Sequence, residues 1–417
     1  MSIATKRAYL KVLAGGGGTF MKHIKMFRAA LAALVTVLAG GYAQAEDAAV
    51  EDTPAVDETP AVTKVKRLKP KYTSVMTVSG YTGESELENF PVAVRISTAN
   101  IPGFDYAKCD GEGDVTFTDN DGNILPHEIE VWNTEGESVA WVSIPKLSTV
   151  VAEDKTTYTT FKMHWGHETK LADTKANEVW STATYNAVWH MADDFNYEVG
   201  QHDSSGNGFT ASYATDSKVG IGTVSAIGKA FYLTRNKNTE AKCFTTPNLS
   251  STIKMNWSAV TLSGWAYYKG YAASGQQHLF WVNTSSTGSY YWGLNTQSKT
   301  IRSKFGTNTG ETIGAGLSPA SGWFHWAIRI TNKTKFEYFL NGTRLKEKTV
   351  NAKYASMSTS SEFWCGGTTG YIDECRFRNE DSSADWIKAE YDSINNKQFV
   401  VASEAVKNGY GLKIIVR

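Results

Sequence analysis

Glu128 and Glu130 stand two residues apart in His127-Glu128-Ile129-Glu130-Val131-Trp132, a spacing that sends both carboxylates to one face of a strand. Carboxylates paired in this way serve glycoside hydrolases as acid and nucleophile across a sugar bond. No comparable pair falls on the strands expected between Val260 and Leu340, and alternating charge is also the pattern of a solvated strand face. Glu128 and Glu130 are therefore read as surface carboxylates, and no catalysis is assigned. His127-Glu128 also opens the zinc-protease signature, but Val131 stands where the second His belongs, and the segment is a strand rather than a helix. Asp119-Asn120-Asp121-Gly122-Asn123, with Glu130 twelfth in line, imitates an EF-hand loop. Its sixth position is Ile124 instead of Gly, and its flanks are β-rich, so a turn is the better reading. Tyr290 and Trp292 share a strand face and could stack on the apolar face of a pyranose. Trp189, Trp265 and Trp326 are expected in the core instead.

The elements that would carry these side chains are strands. From Tyr72 to about Ala183, short alternating runs are broken by turn residues, as in an antiparallel sheet. Val115 to Thr118, the Asp119–Asn123 turn and Ile124 to Trp132 predict a hairpin. Val139 to Ile144 and Tyr158 to Trp165 continue the sheet. Beyond Tyr185, strands are predicted at Val260–Tyr267, His278–Val282, Tyr290–Leu294, Trp323–Ile330, Lys335–Leu340 and Tyr371–Phe377, with an Asn341-Gly342 turn. Many short strands so spaced point to a sandwich or jelly roll. Ser382 and Asp385 have capping-box spacing ahead of a short helix, and Phe399–Ala402 and Leu412–Val416 are read as further strands of unassigned partner.

Lys plus Arg and Asp plus Glu both number 42, and residues 1–45 hold six bases and no acid, so the remainder carries 36 bases against 42 acids, about −6 net. A chain of that balance has no general attraction for phosphate backbones, and nucleic acid is excluded as the main partner. A basic stretch after Met21, an apolar run from Ala29 to Leu38 and Ala43-Gln44-Ala45 predict a signal peptide over 1–45 with Met21 as its true start, hence a secreted or periplasmic location. The run is shorter than a membrane span, and no later segment is long and apolar enough for one. Residues 46–71 read as a linker, with six acids up to Val62 and then five bases between Lys64 and Lys71. Of the four cysteines, Cys365 and Cys375 are near enough in sequence to bridge neighbouring strands, and two buried thiols fit the spacing equally well.

Two resemblances add to this reading. Residues 72–183 resemble an uncharacterised bacterial domain family that often precedes LamG-like domains and is sometimes fused to ExbB/TolQ-type channel subunits. The matching residues are Phe90–Ile96, Asp114–Pro126, His127–Trp132, Ala140–Pro145 and His164-Trp165-Gly166. Residues 184–395 resemble LamG-like, concanavalin A-type jelly rolls, in order, through Ala187–Met191, Asp203–Gly208, Gly228–Phe231, Val260–Trp265, Gly322–Ala327, Phe339–Gly342 and Gly370–Arg376. The expectation is an all-β chain of two consecutive sandwiches followed by a strand tail over 396–417. The resemblance implies binding of a glycan or cell-surface polymer without catalysis. The alternatives it leaves are an envelope protein acting beside ExbB/TolQ-like systems, or a divergent glycosidase or lyase. It also implies calcium, with Asp203 and Asp373 at the positions of the ligands; the other reading has Asp203 capping a turn and Asp373 pairing with Arg376 or accepting amides.

Overall fold

The computed structural model describes residues 69–149, 158–167, 176–193, 200–213, 218–222, 224–234, 244–246, 258–268, 277–283, 291–297, 300–304, 312–315, 322–349, 363–365 and 370–409. The expected signal peptide, the linker up to Leu68, Tyr290, Cys243 and the strand at Leu412–Val416 lie outside these residues.

The first domain contains β1 (Pro70–Val78), β2 (Leu87–Ile96), β3 (Thr116–Thr118), β4 (His127–Val131), β5 (Ser138–Leu147) and β6 (Thr160–His167). A four-residue helix, α1 (Ala176–Val179), leads to the second domain. There follow β7 (Tyr185–Trp189), β8 (Ser212–Tyr213), β9 (Lys218–Ile221), β10 (Phe231–Thr234), β11 (Phe244–Thr246), β12 (Ala259–Tyr268), β13 (Gln277–Asn283), β14 (Tyr291–Gln297), β15 (Thr300–Lys304), β16 (Thr312–Ala315), β17 (Gly322–Thr331), β18 (Lys335–Leu340), β19 (Thr343–Thr349), β20 (Phe363–Cys365) and β21 (Gly370–Arg378). Helix α2 (Ala384–Asn395), β22 (Val400–Ala402) and β23 (Val406–Lys407) close the described chain.

The second domain has two antiparallel sheets, ordered β19-β18-β17-β12-β21-β10-β9, with β7 also on β21, and β16-β15-β14-β13-β20-β11-β8. Its opening strand therefore pairs with its last, Cys375 opposite Trp189. The fold is the all-β arrangement expected, and the predicted strands from Val260 onward fall on β12, β13, β14, β17, β18 and β21. Asn341 (φ 47°) and Gly342 (φ 72°) both take the left-handed region that a two-residue hairpin turn requires. Trp189, Trp265 and Trp326 are buried as expected. Cys365 and Cys375 lie in different sheets rather than on neighbouring strands.

In the first domain one sheet runs β22-β1-β6-β3 with β23 also on β1, and a second runs β2-β5-β4. The tail after Asn395 thus returns to the first domain, where Met76 pairs with Ala402 and Tyr72 with Lys407. The predicted hairpin is corrected. Its turn forms, with Thr118 bridged to Ile124 and the Leu125 amide donating to the Phe117 carbonyl at 2.9 Å. The chain then leaves β3, and β4 pairs with β5 in the other sheet. Pro126 lies at the departure; having no N–H it cannot extend the ladder toward β3, and its carbonyl accepts from Ser143. The helix cap is corrected as well. Ser383 rather than Ser382 caps α2, accepting from the Trp386 amide at 3.0 Å. Asp385 instead accepts the Glu84 and Ser85 amides and the Ser85 hydroxyl, tying α2 to the first domain.

One apolar core runs through both domains. It joins Phe90, Phe117, Trp141 and Trp165 of the first to Tyr185, Val188, Ile227, Trp265 and Trp386 of the second, and Phe399 of the tail completes it. This explains why β12 is buried on both faces. Leu262 and Ala266 alternate with Ser263 and Trp265, and all four are buried. Ser263 donates to Glu390 of α2 at 2.6 Å and Trp265 stacks on Tyr391 at 5.5 Å, so the face that a free-standing sandwich would leave to solvent is covered.

Candidate functional site

Two groupings outside the ordinary core could do chemistry. The first is a row of rings. β17, β12, β21 and β10 are consecutive in the larger sheet, and their registers place Trp323 opposite Tyr267, Tyr267 opposite Tyr371 and Tyr371 opposite Tyr232. The four side chains therefore share one face. Ring centroids are 5.6 Å apart for Trp323 and Tyr267, 5.5 Å for Tyr267 and Tyr371, and 5.0 Å for Tyr371 and Tyr232. Tyr371 is buried while Trp323, Tyr267 and Tyr232 are half-buried, an aromatic strip with part of its area open. The expected pair is placed only in part: Trp292 lies on β14 opposite Val282, and Tyr290 falls outside the described residues.

The second grouping is polar and buried. Glu128 and Glu130 are not on a solvated face: their side chains are 15% and 1% exposed, because the second domain covers this side of β4. Glu128 accepts from the Trp180 indole at 2.6 Å, from Ser204 Oγ at 2.7 Å, and from His190 Nε2 at 3.2 Å. Glu130 Oε2 accepts from the Trp141 indole at 2.8 Å, and a Cβ at Gly228 (φ 54°) would collide with Glu130 Oε1. His190 lies just past β7, with its Nδ1 2.8 Å from Glu374 Oε1 and 3.9 Å from Glu130 Oε2. Arg376 donates to Glu374 at 2.7 Å and Glu390 at 3.2 Å, and its guanidinium lies over both the Trp141 and Trp180 rings, 4.4 and 4.8 Å from their centroids.

Backbone irregularity delivers these groups. Between Asp373 and Arg376, β21 carries one residue more than β12 does, a bulge in which Glu374 takes φ 49°. Met191, after His190, takes φ 61°. A non-glycine residue held left-handed needs support from its surroundings, and here it brings Glu374 to His190 and Arg376.

The electrostatics follow from burial. Burial pushes the Glu130 carboxyl up to about 8, with the Glu374 charge adding to the effect. Burial, then the charges of Glu374 and Glu130, hold Asp373 well above the ordinary carboxylate range. His190 is held well above the ordinary imidazole range: burial works against this, and the Glu374 and Glu128 carboxylates outweigh it. Glu374 is held low in turn, with His190 and Arg376 outweighing its burial.

The two expected calcium ligands both accept backbone amides. Asp203 Oδ1 takes Val188 N at 2.9 Å and Ser205 N at 3.0 Å, and its Oδ2 takes Phe209 N at 3.0 Å. Asp373 Oδ2 takes Ala226 N at 2.9 Å and Ile227 N at 3.1 Å. Each thus pins a different loop. His190, Glu374, Arg376, Trp141 and Trp180 were missed as site residues. The signals available were a His ending the apolar run Ala187-Val188-Trp189 and two acids inside the apolar strand Gly370–Phe377.

No protein-family model matches the chain, and no curated protein matches it. Among solved structures it is similar to one of botulinum neurotoxin type C, concerned with cell entry through two ganglioside molecules (10% identity, 51% of each chain covered, TM-score 0.40). It is also similar to the binding domain of botulinum neurotoxin DC in complex with SialylT (13% identity, 51% of this chain and 52% of that one, TM-score 0.38). A third is the binding domain of Paraclostridial mosquitocidal protein 1 (13% identity, 51% and 53%, TM-score 0.38). The chain spans about half the length of the structures it matches, and scores this low transfer neither ligand nor partner to it.

Proposed function

We propose that this chain is a non-catalytic glycan-binding protein whose second domain, LamG-like by its motifs, grips sugar rings on the strip Trp323–Tyr267–Tyr371–Tyr232. The observation that carries this is the placement of four aromatic side chains, in register, on four consecutive strands. Trp323 and Tyr267, half-buried and meeting edge to face at 71°, offer apolar ring area to the C–H face of a pyranose. A glycosidase built on Glu128 and Glu130 is disfavoured, since both carboxylates are buried and held by indoles, a serine and a histidine, which closes them to a sugar. A glycan array probed with residues 46–417 is the test. Binding is expected, and Trp323→Ala and Tyr267→Ala should each weaken it at least about tenfold, the loss of ~1.4 kcal/mol of stacking, with unchanged circular dichroism. Trp292→Ala is the comparison for the Tyr290–Trp292 face. An array with no retained glycan, or strip variants that bind as well as the parent while Trp292→Ala does not, overturns this assignment.

A further inference from the structure

Among the described residues, the carboxylates Glu128, Glu130, Asp373, Glu374 and Glu390 cluster about the bases His190 and Arg376, with the His325 imidazole buried near Glu390. Burying that excess of negative charge is costly unless a cation or protons compensate it. The partners of each oxygen show where compensation is lacking. Glu374 has both oxygens engaged and Glu128 is held on both sides. Glu130 Oε1 and Asp373 Oδ1, both wholly buried, receive no hydrogen bond. Ligand atoms of Glu130, His190 and Glu374 all lie within 4.8 Å of one another.

We infer that Glu130, His190 and Glu374 form a binding site for a divalent transition-metal ion of the zinc class, at the seam between the two domains. One imidazole with two carboxylates is a ligand set for zinc or its first-row neighbours, whereas calcium and magnesium take oxygen ligands alone. The surroundings match what a metal-bound imidazole needs. His190 Nε2–H donates to Glu128 Oε2, which fixes the ring and aims Nδ1 at Glu374 and Glu130; Ser204 and Trp180 hold Glu128 in turn. Trp141 and Arg376 orient the other two ligands by donating to Glu130 Oε2 and Glu374 Oε2. The ion displaces the protons that its ligands hold, the one His190 Nδ1 shares with Glu374 Oε1 and the one on the buried Glu130 carboxyl, and both leave to solvent. Because Glu130 comes from the first domain and His190 and Glu374 from the second, the ion staples the two together.

The test uses residues 46–417, stripped with chelator and titrated with zinc chloride at neutral pH. About one equivalent is expected to bind with release of protons and a rise in melting temperature, since binding to the folded state alone stabilises it. Glu128→Gln, which leaves all three ligands in place, should weaken zinc roughly 10- to 100-fold without abolishing it. Glu130→Gln and His190→Gln should abolish it. X-ray absorption at the zinc edge of the parent protein needs no variant, and should show one imidazole in an otherwise oxygen shell. Failure of the parent to take up zinc, a shell containing sulfur, or affinity unchanged in well-folded Glu130→Gln and His190→Gln overturns the inference. Because none of these readouts involves sugar, the glycan-binding proposal stands or falls separately.

Discussion

Asp203 shows at the residue scale how one carboxylate can be read in two ways. In sequence it stands in an Asp-Ser-Ser-Gly turn where a jelly roll's calcium ligand is expected. In the fold it receives three backbone amides, two of them on buried residues, and holds the turn beside β7. Asp203→Ala should therefore cost roughly 3 kcal/mol or more, because buried amides lose their acceptor. The loss, measured by urea denaturation, should be the same in EDTA as in calcium. A loss present only in calcium would show that an ion depends on Asp203. Glu128 and Glu130 teach a related lesson. Their alternation was legible, but the same alternation serves a wet face and a face covered by another domain, and only the covering residues His190, Ser204 and Gly228 distinguish the two.

Among the elements, the tail makes the sharpest departure from a chain of independent modules. β22 and β23 pair with β1, and Ser74 Oγ donates to the Ser403 carbonyl at 2.7 Å across 329 residues of chain. Phe399 enters the core just before β22, against Gly80, where a Cβ would collide with it. Phe399→Ala is expected to destabilise the protein by about 3–5 kcal/mol, the cost of emptying a buried ring site. Val406→Lys, at a position 64% exposed on β23, should stay within about 0.5 kcal/mol of the parent. Equal effects in chemical denaturation would show that the tail does not pack as described. The strands themselves were legible because alternation and turn chemistry act over a few residues. The exit of β4 from its predicted hairpin was not, because it depends on β5 offering a partner on the far side of Pro126.

Taken as a whole, residues 67–417 form one compact unit with a shared core, so calorimetry should show a single unfolding transition for this part of the chain. Two separated transitions would contradict the shared core. Each domain also holds an imidazole pushed down to about 4. His164 owes this to burial, then to His167 and Lys162, and it sits between the Thr73 and Thr118 hydroxyls at 2.9 Å each. His325 owes it to burial, which together with Arg376 outweighs the opposing charge of Glu390. Unfolded, either ring takes a proton near 6.5; folded, neither does until about 4. Their stabilisation is therefore complete above pH 6.5 and lost as pH falls toward 4, at most ~3 kcal/mol for each ring. The melting temperature should fall through that window, and His164→Gln or His325→Gln should flatten its slope if the variants fold; a slope unaltered by either would refute the assignment. Strand positions, hairpin residues, core tryptophans and the all-β class could be read from residue order, because each follows from near neighbours and from the period of the pleat. Which face of β4 is buried, where the tail pairs and which acids surround His190 came only with the folded chain. His190 and Glu374 are 184 positions apart, and no local pattern encodes a contact that exists only once β7 has paired with β21.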